Sequence, residues 1–117
     1  FSNIPRHIAF DLIVSNPPYI ADDQWKQLPI SVSRWEDRLA LTAGVDGLSI
    51  IKQIIEESPR WLKNKNIHSS PQIPQLVIEI DKDQGPTVSS LCKQASFTRI
   101  NIRKDFASHD RIVYAAI

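Results

Sequence analysis

The sequence predicts an α/β domain: an open, mostly parallel sheet with helices on its faces, ending in an antiparallel strand pair. Three observations carry this. Phe10 to Ser15 and Leu76 to Ile80 are nearly unbroken apolar runs, the pattern of strands covered on both faces of a parallel sheet. Between and after them lie two stretches with apolar residues at helical spacing, and the C-terminus carries two short β-prone runs split by a polar turn. Strand, loop, helix, strand, helix, strand, strand is the order of the second half of an open α/β sheet.

The first strand is interrupted only by Asp11 and stops at Asn16-Pro17-Pro18, because two prolines remove two ladder donors in a row. Tyr19 to Val45 is mixed, with Pro29 and amphipathic patches around Trp25, Trp35 and Leu39 to Leu41, and reads as a long loop with short helical turns. Asp46 is placed to cap a helix whose stripe is Leu48, Ile51, Ile55 and Leu62, widened by Ile50, Ile54 and Trp61 and bent or restarted at Pro59. Asn64 to Pro74 is a polar surface linker. After the second strand, Gly85 and Pro86 open a helix that presents Val88, Leu91, Cys92 and Ala95 on one face. Phe97 to Ile102 and Arg111 to Ile117 then form the antiparallel pair, joined through the turn at Ser108 to Asp110.

Composition excludes several classes of function. Lysine and arginine nearly balance aspartate and glutamate, for a net charge of +1, so nothing demands a nucleic-acid partner or an acidic membrane. Lys63, Lys65, Arg99, Arg103 and Lys104 make at most a basic edge, which a solvated face resembles equally well. No apolar run approaches the roughly 20 residues that span a bilayer. The lone Cys92 reads as a small buried hydrophobe, and His7, His68 and His109 are scattered without metal-ligand spacing, so no metal site is expected.

The chemistry concentrates at Asn16-Pro17-Pro18-Tyr19, since open α/β sheets bind ligands beyond the carboxyl ends of their strands. The prolines stiffen the turn and donate nothing, which leaves the Asn16 side-chain oxygen and the Pro17 carbonyl free to accept from one substrate NH2 group. An amide or exocyclic amine nitrogen is a poor nucleophile because its lone pair is delocalised. Two acceptors that hold both N–H bonds out of the conjugated plane turn that lone pair toward an incoming methyl group. An exposed Tyr19 is expected to stack on the flat group. Glu79, inside a strand, reads as a structural hydrogen-bonding group before a general base.

The string Phe10 to Ile20, followed in order by Leu39-Ala40-Leu41-Thr42-Ala43-Gly44-Val45-Asp46-Gly47-Leu48, by Ile78-Glu79-Ile80 with Gln84, and by Asp110-Arg111-Ile112-Val113, resembles the HemK/PrmC family of protein-glutamine N5-methyltransferases. The resemblance implies the second half of a Rossmann-like class I methyltransferase sheet dependent on S-adenosyl-L-methionine. It also implies a substrate, the glutamine of the Gly-Gly-Gln motif in a peptide chain release factor. By the same resemblance Asn16 contacts both cofactor and substrate, Pro17 accepts from the glutamine amide, and Tyr19 packs on the amide plane. Pro18 and Glu36 complete the substrate-binding set. Where the family has Glu-Pro, this chain has Glu36-Asp37, and Asp81 stands where the family has a glycine after its Glu-Ile strand.

Phe1 in place of Met, and the lack of a Gly-rich cofactor loop among Gly44, Gly47 and Gly85, lead to the expectation that residues 1–117 are the C-terminal part of a methyltransferase domain. Alone, such a part binds cofactor weakly and exposes an apolar sheet edge. The long Asn64 to Pro74 segment points to a mitochondrial member, with the bacterial cytoplasm as the alternative, and a monomer is expected. Two rival readings stand beside this one: an N6-adenine methyltransferase on DNA or RNA using the same turn, and a degenerate methyltransferase acting only as a binding module.

Overall fold

The computed structural model describes residues 3–5, 7–34, 37–63 and 73–117. Four strands form one sheet: β1 (Ile13–Ser15), β2 (Leu76–Glu79), β3 (Arg99–Lys104) and β4 (Asp110–Ala116), in the order β1-β2-β4-β3. β1 pairs with β2 in parallel, while β4 is antiparallel to both β2 and β3. Three strands therefore run one way and β4 alone is reversed, which bears out the mixed sheet with its antiparallel C-terminal pair. The chain reaches that arrangement by sliding its last strand between β2 and β3, a step that hydrophobic periodicity does not encode.

Two helices supply the core. α3 (Ser49–Glu57) buries Ile51 and Ile55, and α4 (Gly85–Gln94) buries Val88 and Cys92. They join Leu76, Ile78 and Ile80 from β2 and its end, Val113 and Ala115 from β4, and Phe97 in one apolar cluster. As expected, the first helix breaks at Pro59, where a 3-10 turn (Ser58–Arg60) takes over, and Pro86 sits in the first turn of α4. Asp46 lies further from its helix than a cap should. Its carboxylate accepts from Leu48 N–H at 3.0 Å and shapes the turn ahead of α3. The segment after Tyr19 contains short helical turns, a 3-10 turn (Gln24–Gln27), α1 (Ile30–Ser33) and α2 (Arg38–Leu41).

The first strand departs from expectation. Only Ile13 to Ser15 pair as a strand, with Phe10 making an isolated bridge to Leu62, and Leu12 and Val14 are 44% and 67% exposed. Among the described residues β1 is hydrogen-bonded on one side only, so its apolar side chains lack the double cover that a central strand has. β3 is also displaced, starting at Arg99, because the Phe97 N–H closes the end of α4 by donating to the Cys92 carbonyl at 3.0 Å. No helix among the described residues is long and apolar enough to cross a membrane.

Candidate functional site

Asn16 to Tyr19 leave β1 at its carboxyl end and bound a cleft of about 120 Å³, walled by Asn16, Pro17, Pro18, Tyr19 and Ile20 on one side and by Ala40 and Leu41 of α2 on the other. Asn16 is exposed and Pro17 buried. Among the described residues neither the Asn16 carboxamide nor the Pro17 carbonyl has a hydrogen-bond partner. Both keep unused accepting capacity among the described residues, the Asn16 group on an exposed residue and the Pro17 carbonyl on a buried one that lines the cleft.

Tyr19 is placed differently from the exposed lid expected of it. The residue is half-buried and packs against the apolar cluster, with the Glu79 carboxylate nearby. Burial, reinforced by the nearby Glu79 carboxylate, raises the phenol above its ordinary pKa. Its ring is a wall of the cleft, set by packing against the apolar cluster.

The corner is fixed from behind by contacts that sequence reading missed. Ile20 N–H donates to the Leu41 carbonyl and Ala43 N–H to the Ile20 carbonyl, both at 3.0 Å, and Asp22 N–H reaches Gly44. Residues 20–22 are thereby zipped to residues 41–44. The buried Gln84 carboxamide donates to the Tyr19 carbonyl at 3.1 Å and to the Gly47 carbonyl at 3.4 Å, while its oxygen accepts from Asp81 N–H at 3.0 Å. Gly47 has φ +69°, and a Cβ there would stand 2.2 Å from the Tyr19 carbonyl oxygen, so no other residue fits. Asp37 accepts from Leu39 N–H at 2.9 Å and caps α2, which carries one wall of the cleft.

On the far side, Asp105 accepts from the backbone N–H groups of Ala107 and His109 and from the Arg111 guanidinium, and Arg111 in turn donates to the Ile80 carbonyl at 3.3 Å. The His109 N–H, followed by the smaller effect of Arg111, holds the Asp105 carboxyl below its usual range. This ties the β3–β4 turn to the end of β2. Of the basic edge, Lys63 pairs with Asp11 and Lys104 with Asp110, and Lys65 lies outside the described residues. A larger cleft, about 320 Å³ between Ile73, Arg99, Asn101, Arg103 and Tyr114, lies on the sheet away from this corner. No group of potential metal ligands occurs among the described residues.

No sequence-family profile matches the chain. Individual proteins do. It is 37% identical over 112 residues to the release factor glutamine methyltransferase of Clostridium acetobutylicum, covering 96% of this chain and 36% of that protein. The protein of the same name from Cereibacter sphaeroides is 35% identical over the whole chain and 38% of its own length, and that from Aquifex aeolicus 38% identical over 94% of this chain and 36% of its own. The chain is a relative of the release factor glutamine methyltransferases. It spans about a third of the length of the curated relatives it matches.

The four stretches that carry the family resemblance meet in space. Residues 16–20 and 39–48 face each other across the cleft, Gln84 holds the Tyr19 carbonyl with Glu79 near the ring, and Arg111 joins the end of β2. The departure at Asp37 is conservative in effect, since a capping carboxylate starts α2 where the family has a proline. Glu36, expected near the substrate, lies outside the described residues, as do Trp35, His68 and most of the Asn64 to Pro74 segment. The mitochondrial expectation is overturned: the relatives of this name come from bacteria, which fits the bacterial alternative. A long linker is a surface feature that varies without regard to compartment.

Proposed function

We propose that this chain is the substrate-side part of an enzyme that methylates the side-chain amide nitrogen of glutamine in the Gly-Gly-Gln motif of a peptide chain release factor. The observation that carries it is the pair of open acceptors, the Asn16 carboxamide oxygen and the Pro17 carbonyl, at the carboxyl end of β1 beside a cleft of about 120 Å³. Two acceptors match the two N–H bonds of a primary amide. The names of the relatives support the substrate.

In this reading the two acceptors hold the amide so that its lone pair leaves conjugation and points out of the cleft. Tyr19 closes the back of the site with a ring packed against the apolar cluster, and Ala40 and Leu41 form the opposite wall. No strong base is needed, because the nitrogen loses its proton readily once methylation has made it cationic. S-adenosyl-L-methionine is the methyl donor the family implies. The described cleft does not hold it unaided, since sites for molecules of that size occupy roughly 300–1,000 Å³, and the cofactor contact assigned to Asn16 is the one the family resemblance implies. A membrane plays no part in this reading, nucleic acid is not required, and the enzyme acts as a monomer.

Incubating the full-length enzyme that contains this chain with a release factor and S-adenosyl-L-methionine, followed by peptide mass spectrometry, is expected to find one methyl group on the Gly-Gly-Gln glutamine. Methylation of an adenine-containing oligonucleotide with an unmodified release factor would reject the proposal.

A further inference from the structure

We propose that Gln84 is the positioning residue of the Asn16–Tyr19 corner, an inference that rests on the amide-methylating reading above. Three independent segments converge on its one carboxamide: the Tyr19 carbonyl that ends the corner, the Gly47 carbonyl from the turn before α3, and the Asp81 N–H after β2. The side chain is 9% exposed, and all the bonding capacity of its NH2 group goes to two main-chain oxygens. Its role is not that of a helix cap, since its oxygen accepts from Asp81 N–H and takes no hydrogen bond from the N–H groups that open α4. Its oxygen fixes the turn at Asp81, so its nitrogen is held in place by the end of β2, the most buried part of the sheet. Through it the position of Tyr19, and of the two acceptors just before it, is referred to that strand.

Gln84 touches no substrate. It acts by keeping the backbone of the corner in register while the amide is bound, so its loss should lower turnover more than binding. A carboxylate at this site keeps the acceptor toward Asp81 and loses both donated bonds, placing negative charge against two carbonyl oxygens. Burial raises the pKa of such a carboxyl, and on protonation it regains one donor.

The test compares Gln84→Glu and Gln84→Met in the full-length enzyme that contains this chain. For both, kcat for glutamine methylation should fall about 30- to 100-fold, the range that misplacement by an ångström brings, with KM for the release factor within about threefold of the unaltered enzyme. Only Gln84→Glu should recover as pH is lowered from about 8 to 6; equal losses with identical flat profiles, or unchanged kcat, overturn the proposal. Hydrogen exchange supplies a readout that does not depend on catalysis. Both variants should exchange faster at the Ile20 and Ala43 amides while the interior of α4 keeps its protection. Uniform loosening that includes α4, or no change at all, overturns it. If the unaltered enzyme adds no methyl to glutamine, the amide-methylating reading fails by itself, and the exchange pattern decides whether Gln84 holds the corner.

Discussion

Gly44 and Gly47 offer a controlled comparison of two reasons for glycine. Both have positive φ, +78° and +69°. Alanine at either position therefore incurs the left-handed penalty, roughly 1–2 kcal/mol. At Gly44 little more is added, since a Cβ would lie 3.4 Å from the Ser49 hydroxyl, an ordinary contact. At Gly47 the new Cβ would stand 2.2 Å from the Tyr19 carbonyl oxygen, about 0.8 Å inside the closest approach such atoms tolerate, and the obstacle is backbone that cannot rotate away. Opening that gap stretches the two bonds from Gln84, each contributing roughly 0.5–1.5 kcal/mol. Gly47→Ala should then destabilise by about 2–5 kcal/mol and Gly44→Ala by about 1–2, against a total stability on the order of 5–15 kcal/mol. Equilibrium urea unfolding of the full-length enzyme that contains this chain measures both, provided the slopes stay equal. Equal destabilisation by the two variants would refute the claim that residue 47 is pressed against the corner.

Asn16→Ala removes one of the two open acceptors and should lower kcat/KM for glutamine methylation on the order of 10²-fold without moving the urea midpoint, because Asn16 is exposed and bonds nothing among the described residues. Asp37→Ala removes the cap of α2 and should cost about 1 kcal/mol, read as a lower urea midpoint. Burial pushes the Cys92 thiol up to about 11. The folded state thus favours the protonated thiol, so its contribution is intact below the unfolded value near 9 and is lost as pH rises toward 11. Cys92→Ala should flatten that alkaline loss in urea titrations at pH 8 to 11. Asp105 behaves oppositely: its folded pKa is depressed below 3.8, so its contribution is present above that value and disappears as pH falls through the folded pKa. Asp105→Asn should remove this acid-side dependence, checked by the pH dependence of thermal unfolding below pH 5.

Much of the architecture was legible because local chemistry and tertiary need agree. The stripe on α3, the proline-opened α4 and the apolar run of β2 each carry a period that only one element satisfies. The corner was legible for a related reason, since two prolines after an apolar strand leave few backbone choices. Expectation failed where partners from distant segments decide the outcome. Val14 is exposed because strand hydrophobicity says what a residue would bury and nothing about which neighbour is there to cover it. Tyr19 packs into the apolar cluster beside Glu79, a group sixty residues along the chain.

What the sequence determined alone is the set of reactive groups and the stiffness of the turn that bears them, both of which are properties of covalent structure. Tertiary structure decided where those groups stand. Gln84 reads as an ordinary polar residue ahead of a helix until folding sets its carboxamide against Tyr19 and Gly47, and hydrogen bonds between residues far apart in the chain exist only after the sheet has brought their segments together.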